Sequence, residues 1–126
     1  MKADGVNIII ALGHSGIERD KQIAALCPDL DLVIGGHCKY QYLYLNYCLL
    51  MCMNITLFTF QAHTFLYSGK APDFETPEGE YPITVTQSNG KKVPVVQCYA
   101  FTKYLGYLHL EFDDGGNLIE IDGIKL

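Results

Sequence analysis

The chain has no basic run, no apolar leader and no cysteine pair at zinc-binding spacing, and each absence removes a class of function. Lys and Arg number 9 against 14 Asp and Glu, for a formal net charge of −5, which excludes the electrostatic footprint of a nucleic-acid binder. The opening residues Met1-Lys2-Ala3-Asp4-Gly5 show no apolar segment of a signal peptide. The five cysteines, Cys27, Cys38, Cys48, Cys52 and Cys98, leave at least one unpaired. Cys48 and Cys52 would share a helix face, but with no His or acidic partner nearby they read as apolar packing residues. The sharpest absence is local: residues 39 to 61 contain no Gly, Ala, Val, Asp, Glu, Pro, Arg or Ser.

What is present is a phrase that occurs twice, an apolar run ending in Gly-His. It stands at Asn7-Ile8-Ile9-Ile10-Ala11-Leu12-Gly13-His14 and again at Leu30-Asp31-Leu32-Val33-Ile34-Gly35-Gly36-His37. Unbroken β-branched and Leu residues fit short strands covered on both faces. Between them, Ser15-Gly16-Ile17-Glu18 reads as a capping box, Ile17, Ala24, Ala25 and Leu26 as an apolar stripe, and Pro28 as a stop. Strand, helix and strand of this length predict a βαβ unit with parallel strands. Both histidines then stand at the carboxyl ends of the strands, the edge where open α/β sheets bind ligands. Imidazole is a frequent metal ligand, although a single His at a strand end is more often plain structure.

From Tyr40 to Phe60 the chain is dominated by Tyr, Leu, Met, Cys and Phe, a length that a membrane-spanning helix needs. Gln41, Asn46, Asn54 and Thr56, and the absence of a strong positive flank, count against a span. Phe65-Leu66-Tyr67 reads as a short strand, and Ser68 to Glu80 as a surface loop. The remainder is expected to be antiparallel. Pro82 to Thr86 and Lys92 to Gln97 flank Ser88-Asn89-Gly90, where Asn-Gly predicts a type I′ turn with two positive φ angles. In Tyr104 to Phe112, Leu108, Leu110 and Phe112 share one face and His109 falls on the other; a last strand is expected over Leu118 to Ile121. Asp113-Asp114 lacks the spaced ligands of a calcium loop.

Gly13-His14-Ser15-Gly16, Gly35-Gly36-His37, His63-Thr64-Phe65-Leu66-Tyr67-Ser68-Gly69, Val93 to Ala100 and Lys103-Tyr104-Leu105-Gly106 together resemble the 5′-nucleotidase family, whose catalytic domain is calcineurin-like. The resemblance covers nearly everything except residues 38–62. It implies part of a metallophosphoesterase four-layer α/β sandwich, a βαβ unit followed by antiparallel strands, with two divalent metal ions, zinc by analogy. The implied reaction is hydrolysis of a nucleoside monophosphate to nucleoside and phosphate, in a secreted or surface-anchored protein. Carried over by motif, His14, His37 and His63 are the implied metal ligands. The family's Asp-x-His and Gly-Asn-His-Glu motifs and its nucleotide-binding C-terminal domain have no counterpart in these 126 residues. No catalytic acid or base is therefore assigned, and the 126 residues alone are expected to be inactive. The alternatives from other classes are a non-catalytic α/β binding module and a membrane-tethered fragment.

Residues 38–62 interrupt that resemblance, and their composition suggests a translated intron. Cys38-Lys39-Tyr40 can be encoded T-GTAAGTAT, a splice-donor sequence, and Phe60-Gln61-Ala62 can be encoded TTT-CAA-GCN, an acceptor. Removing the segment joins T to CN as a serine codon, keeps the frame and yields Gly35-Gly36-His37-Ser-His63-Thr64. Sequencing the locus and its transcripts checks this: GT and AG are expected at the two boundaries together with a shorter spliced message, and a locus without them rejects it.

Overall fold

A computed structural model describes residues 2–36, 54–59, 64–72, 74–99 and 103–125. After a short 3-10 turn, Lys2–Asp4, the elements run β1 (Ile10–Leu12), α1 (Ile17–Leu26), β2 (Leu32–Ile34), β3 (Asn54–Thr59), β4 (Ile83–Thr86), β5 (Lys92–Val96), β6 (Gly106–Phe112) and β7 (Leu118–Lys125). They form a four-stranded sheet in the order β1-β2-β5-β4 and a three-stranded sheet in the order β3-β6-β7. The protein is α/β, with the βαβ unit present: β1 and β2 are parallel, in register Ile10 to Leu32 and Leu12 to Ile34.

Alternation along β2 and β5 assigns the layers. Leu32, Ile34 and Val96 point into a core shared with Leu108, Leu110 and Phe112 of the second sheet. Val33, Val93 and Val95 point the other way, against Ala24 of α1 and Leu30. The described residues thus stack as helix, sheet and sheet, three of the four layers expected. Each fully covered side chain of this kind contributes roughly 1.5–3 kcal/mol over leaving it in water.

Several local expectations are corrected. β2 is buried along its length, but β1 is an edge strand among the described residues, with Leu12 70% exposed, so only one of the two runs is covered on both faces there. β5 pairs parallel with β2 as well as antiparallel with β4, so the chain after the insertion is not wholly antiparallel. The capping box does not form: Gly16, at φ 86°, is the N-cap, Ser15 turns to Asp20 and Glu18 pairs with Lys21 at 2.6 Å. Ala25 and Leu26 face solvent, and the inner stripe of α1 is Ile17, Asp20, Ile23 and Ala24. In the β4–β5 hairpin only Gly90 has a positive φ, so the turn is not type I′. It closes through the Gly90 N–H donating to the Gln87 carbonyl, with Asn89 Oδ1 accepting from the Lys91 N–H. Asn54–Thr59 is a strand paired with β6 from Asn54 opposite Glu111 to Thr59 opposite Gly106, so the membrane-spanning helix that its polar residues count against does not extend over 54–59, and residues 40–53 lie outside the described residues. No helix among the described residues is long and apolar enough to cross a membrane.

β6 alternates as expected, with Leu108, Leu110 and Phe112 buried and His109 half-exposed beside Glu111. Asp113 accepts both the backbone N–H of Asn117 and its side-chain amide, which holds its carboxyl below the usual range and commits it to the turn rather than to a cation. At the amino end of the first sheet, buried Asp31 accepts from the Ile9 N–H at 2.7 Å and pairs with Lys91 at 2.7 Å.

Gln87 joins the hairpin to the helix. Its Nε2 donates to the carbonyls of Ala24, at 2.7 Å, which Pro28 leaves without a helix partner, and Cys27, at 2.8 Å, which also accepts from the Leu30 N–H. Replacing Gln87 by Leu leaves the buried Ala24 carbonyl without its donor, while the Cys27 carbonyl keeps the Leu30 N–H, and is expected to lower stability by about 1–3 kcal/mol, read as a shifted denaturant midpoint at constant m-value.

Candidate functional site

The carboxyl edge of β1 and β2 is assembled by backbone pairing. Past the last paired residues, the Gly13 N–H donates to the Ile34 carbonyl at 3.0 Å and the Gly16 N–H to the Gly36 carbonyl at 3.1 Å. The β1–α1 loop and the turn after β2 are thereby laid side by side. His14 is exposed on the first of them. Its ring lies against Gly36: a Cβ at position 36 would stand 2.9 Å from His14 Nδ1, so only glycine lets the two approach this closely without displacing the ring.

Below this edge is a buried polar chain. Asp20, fully buried on the inner face of α1, accepts from Ser15 Oγ at 2.7 Å on one carboxyl oxygen and from Gln97 Nε2 at 2.6 Å on the other. Gln97, 1% exposed at the end of β5, uses its Oε1 to accept the Thr64 N–H at 3.3 Å. The amide orientation follows from its neighbours, because a backbone N–H must meet the oxygen, which leaves the nitrogen for Asp20. Gly35 completes the packing: a Cβ there would fall 1.9 Å from Asp20 Oδ2 and 2.8 Å from Gln97 Nε2.

Of the three histidines expected as metal ligands, His14 is on this edge, while His37 and His63 lie outside the described residues. Their sequence neighbours Gly36 and Thr64 are described, and both belong to the arrangement above. Among the described residues no group of three or more His, Cys, Asp or Glu could hold a metal ion. One exposed imidazole is a fit for one corner of a metal pocket and not for a complete one. Asp20 is no substitute ligand, since it is buried and both oxygens are engaged.

A second cluster was not anticipated. Phe65 packs against Tyr67, Tyr99 and Tyr104 with ring centroids 5.6, 5.1 and 5.2 Å away. The Tyr104 hydroxyl and Lys103 both reach Glu75. The hydrogen bond to Glu75, then burial, push the Tyr104 phenol up to about 12. The protonated phenol thus stabilises the fold below pH 10, and this contribution fades as pH rises toward 12. These rings pin the long loop that begins at Thr64; the signal for them in the sequence was only the density of Tyr.

Comparison with known proteins agrees with this architecture. No protein-family model matches the chain. It is 46% identical over 123 residues to human 5′-nucleotidase, covering 98% of this chain and 17% of that protein. It is 42% identical over 118 residues to the protein 5NUC of Lutzomyia longipalpis, covering 16% of it, and 44% identical over 119 residues to the snake venom 5′-nucleotidase of Macrovipera lebetinus, covering 23%. Among solved structures, the 5′-nucleotidase precursor of Thermus thermophilus superposes with a TM-score of 0.69 at 29% identity, over 99% of this chain and 20% of that one. The NAD nucleotidase of Haemophilus influenzae, at 22% identity and a TM-score of 0.68, shares the fold. Fold and sequence together define an α/β segment of the nucleotidase class. By sequence the chain is similar to one short segment of 5′-nucleotidases, spanning 17% of the human protein and 20% of the Thermus thermophilus one.

The glycines at this edge yield a graded prediction. Gly35→Ala drives a methyl into the Asp20–Gln97 contact and is expected to cost about 1–3 kcal/mol, whereas Gly36→Ala meets only an exposed ring that can rotate away and costs less. Thermal unfolding of the two variants measures the order.

Proposed function

We propose that this segment supplies one wall of a dimetal phosphoesterase centre, in the calcineurin-like manner, that hydrolyses nucleoside 5′-monophosphates. His14, His37 and His63 are its ligands, and zinc is the favoured metal. The observation that carries the reading is the placement of His14 against Gly36 at the carboxyl edge of a parallel β1–β2 pair. Imidazole nitrogens held on strand ends keep the fixed approach that such metals require. When bound, the metals would activate water and neutralise phosphoryl oxygens. The role of this chain is to hold the imidazoles and to keep the loops at the edge from moving apart.

The 126 residues taken alone are proposed to be inactive, because the described edge offers an imidazole and no available carboxylate. The proposed site lies at residues 14, 37 and 63, and the segment 38–62, proposed above as translated intron, separates the last two. The venom origin in one relative's name supports a secreted or surface setting for the full-length protein.

Zinc titration by calorimetry, with phosphate release from a nucleoside monophosphate measured in parallel, tests this. Wild-type protein is expected to bind zinc and release no phosphate. His14→Ala and His37→Ala should each weaken binding about tenfold or more, in line with loss of a ligand or its support. Unchanged affinity in both variants overturns the site, and phosphate release by the 126 residues overturns their inactivity.

A further inference from the structure

We infer that Asp20 and Gln97 are positioning residues: a two-residue buried relay that sets the loops of the candidate metal edge relative to one another. The inference deepens the metal-site reading and rests on it. Asp20 holds Ser15, the residue after His14, through one oxygen and Gln97 through the other. Gln97 in turn holds the Thr64 N–H, and Thr64 follows His63 in sequence. Gly35 lies directly on the contact between the two side chains, one residue before Gly36, whose carbonyl accepts from the Gly16 N–H. This chain of hydrogen bonds therefore ties the residue after His14 to the residue after His63, and Gly35, two residues before His37, packs directly on it. None of its members is a donor left over for metal.

The relay has a direction that exchange of side chains can reverse or break. Asp20 offers two acceptors, and Gln97 must donate to it while accepting from a backbone N–H that cannot turn. Gln97→Glu could accept from Thr64 only with its second oxygen set against an Asp20 oxygen, and the repulsion between two buried carboxylates draws the side chain away from the Thr64 N–H. Asp20→Asn alone is tolerated: its oxygen accepts from Gln97, and its amide donates to the Ser15 hydroxyl, which can rotate to accept. In Asp20→Asn/Gln97→Glu the new amide donates to the new carboxyl group and its oxygen accepts from Ser15, so the pair is whole again with its members interchanged. A residue that merely filled space would show no such pattern, because all four side-chain combinations have nearly the same volume.

The test is this double-mutant cycle in the full chain at neutral pH, read by amide hydrogen exchange at Thr64 and Gly16, by zinc titration and by thermal unfolding. Gln97→Glu is expected to lose protection at Thr64 and about 10–100-fold in zinc affinity, as for other residues that orient metal ligands, with both restored in the double variant. Ser15→Ala serves as the mild variant that will fold: raised exchange at Gly16 and weaker zinc binding are expected, with little change in melting. Asp31→Asn, at the far end of the sheet, should lower the melting temperature and leave zinc affinity unchanged. A Gln97→Glu protein with intact Thr64 protection, or a double variant no better than Gln97→Glu, overturns the relay. If wild-type protein binds no zinc, the metal reading falls, while Thr64 exchange and its rescue still decide whether the relay exists.

Discussion

The structure depends on the parallel register of β1 and β2. Once Leu12 stands opposite Ile34, the residues beyond each strand must emerge together, and the chain has glycine where they do: Gly13 and Gly16 on one side, Gly35 and Gly36 on the other. Parallel strands need a crossover, and α1 supplies it while covering one face of the sheet. The helix also carries Asp20 under the edge it has just created. A one-residue slip would turn Val33 away from α1, send Leu32 and Ile34 away from the second sheet and bring a different residue beside His14.

Burying a carboxyl group at that position is costly unless its oxygens are satisfied, and the fold satisfies them with one hydroxyl and one amide rather than with a cation. The consequence is a rigid floor under an exposed imidazole. The floor is rigid because each partner is itself fixed: Ser15 by the pairing of its loop, Gln97 by the end of β5, and Gly35 by its N–H donating to the Val96 carbonyl at 3.0 Å. Asp31 at the amino end is satisfied differently, by the Ile9 N–H and the Lys91 ammonium, and at the helix terminus Gln87 serves two carbonyls.

Much of the fold was legible where burial alone decides conformation. The βαβ unit, the β4–β5 hairpin and the face of β6 follow from apolar runs and alternation, which require no knowledge of distant partners. The errors fall where local chemistry had a distant competitor. Ser15 and Glu18 satisfy the pattern of a capping box, yet the hydroxyl finds a buried carboxyl group and the acid finds Lys21. Asn89-Gly90 has the dipeptide of a type I′ turn, but Gln87 must reach the helix terminus, and the turn that closes needs only Gly90 at positive φ. The parallel pairing of β5 with β2 has no local signal, since nothing in a Val-rich strand states its neighbour.

By itself the sequence determined which residues are apolar, where the chain must turn and which histidines follow glycine at strand ends, because these depend on side-chain type and spacing. Its resemblance to 5′-nucleotidases rested on the order of such words, and the comparisons agree with it over nearly the whole chain. Only the tertiary structure decided that β2 lies between β1 and β5, that Asn54–Thr59 pairs with β6, and that Asp20 and Gln97 meet beneath Gly35. Those facts join residues as far as 77 positions apart in the chain, and a hydrogen bond over that separation exists only after the sheet has brought its ends together.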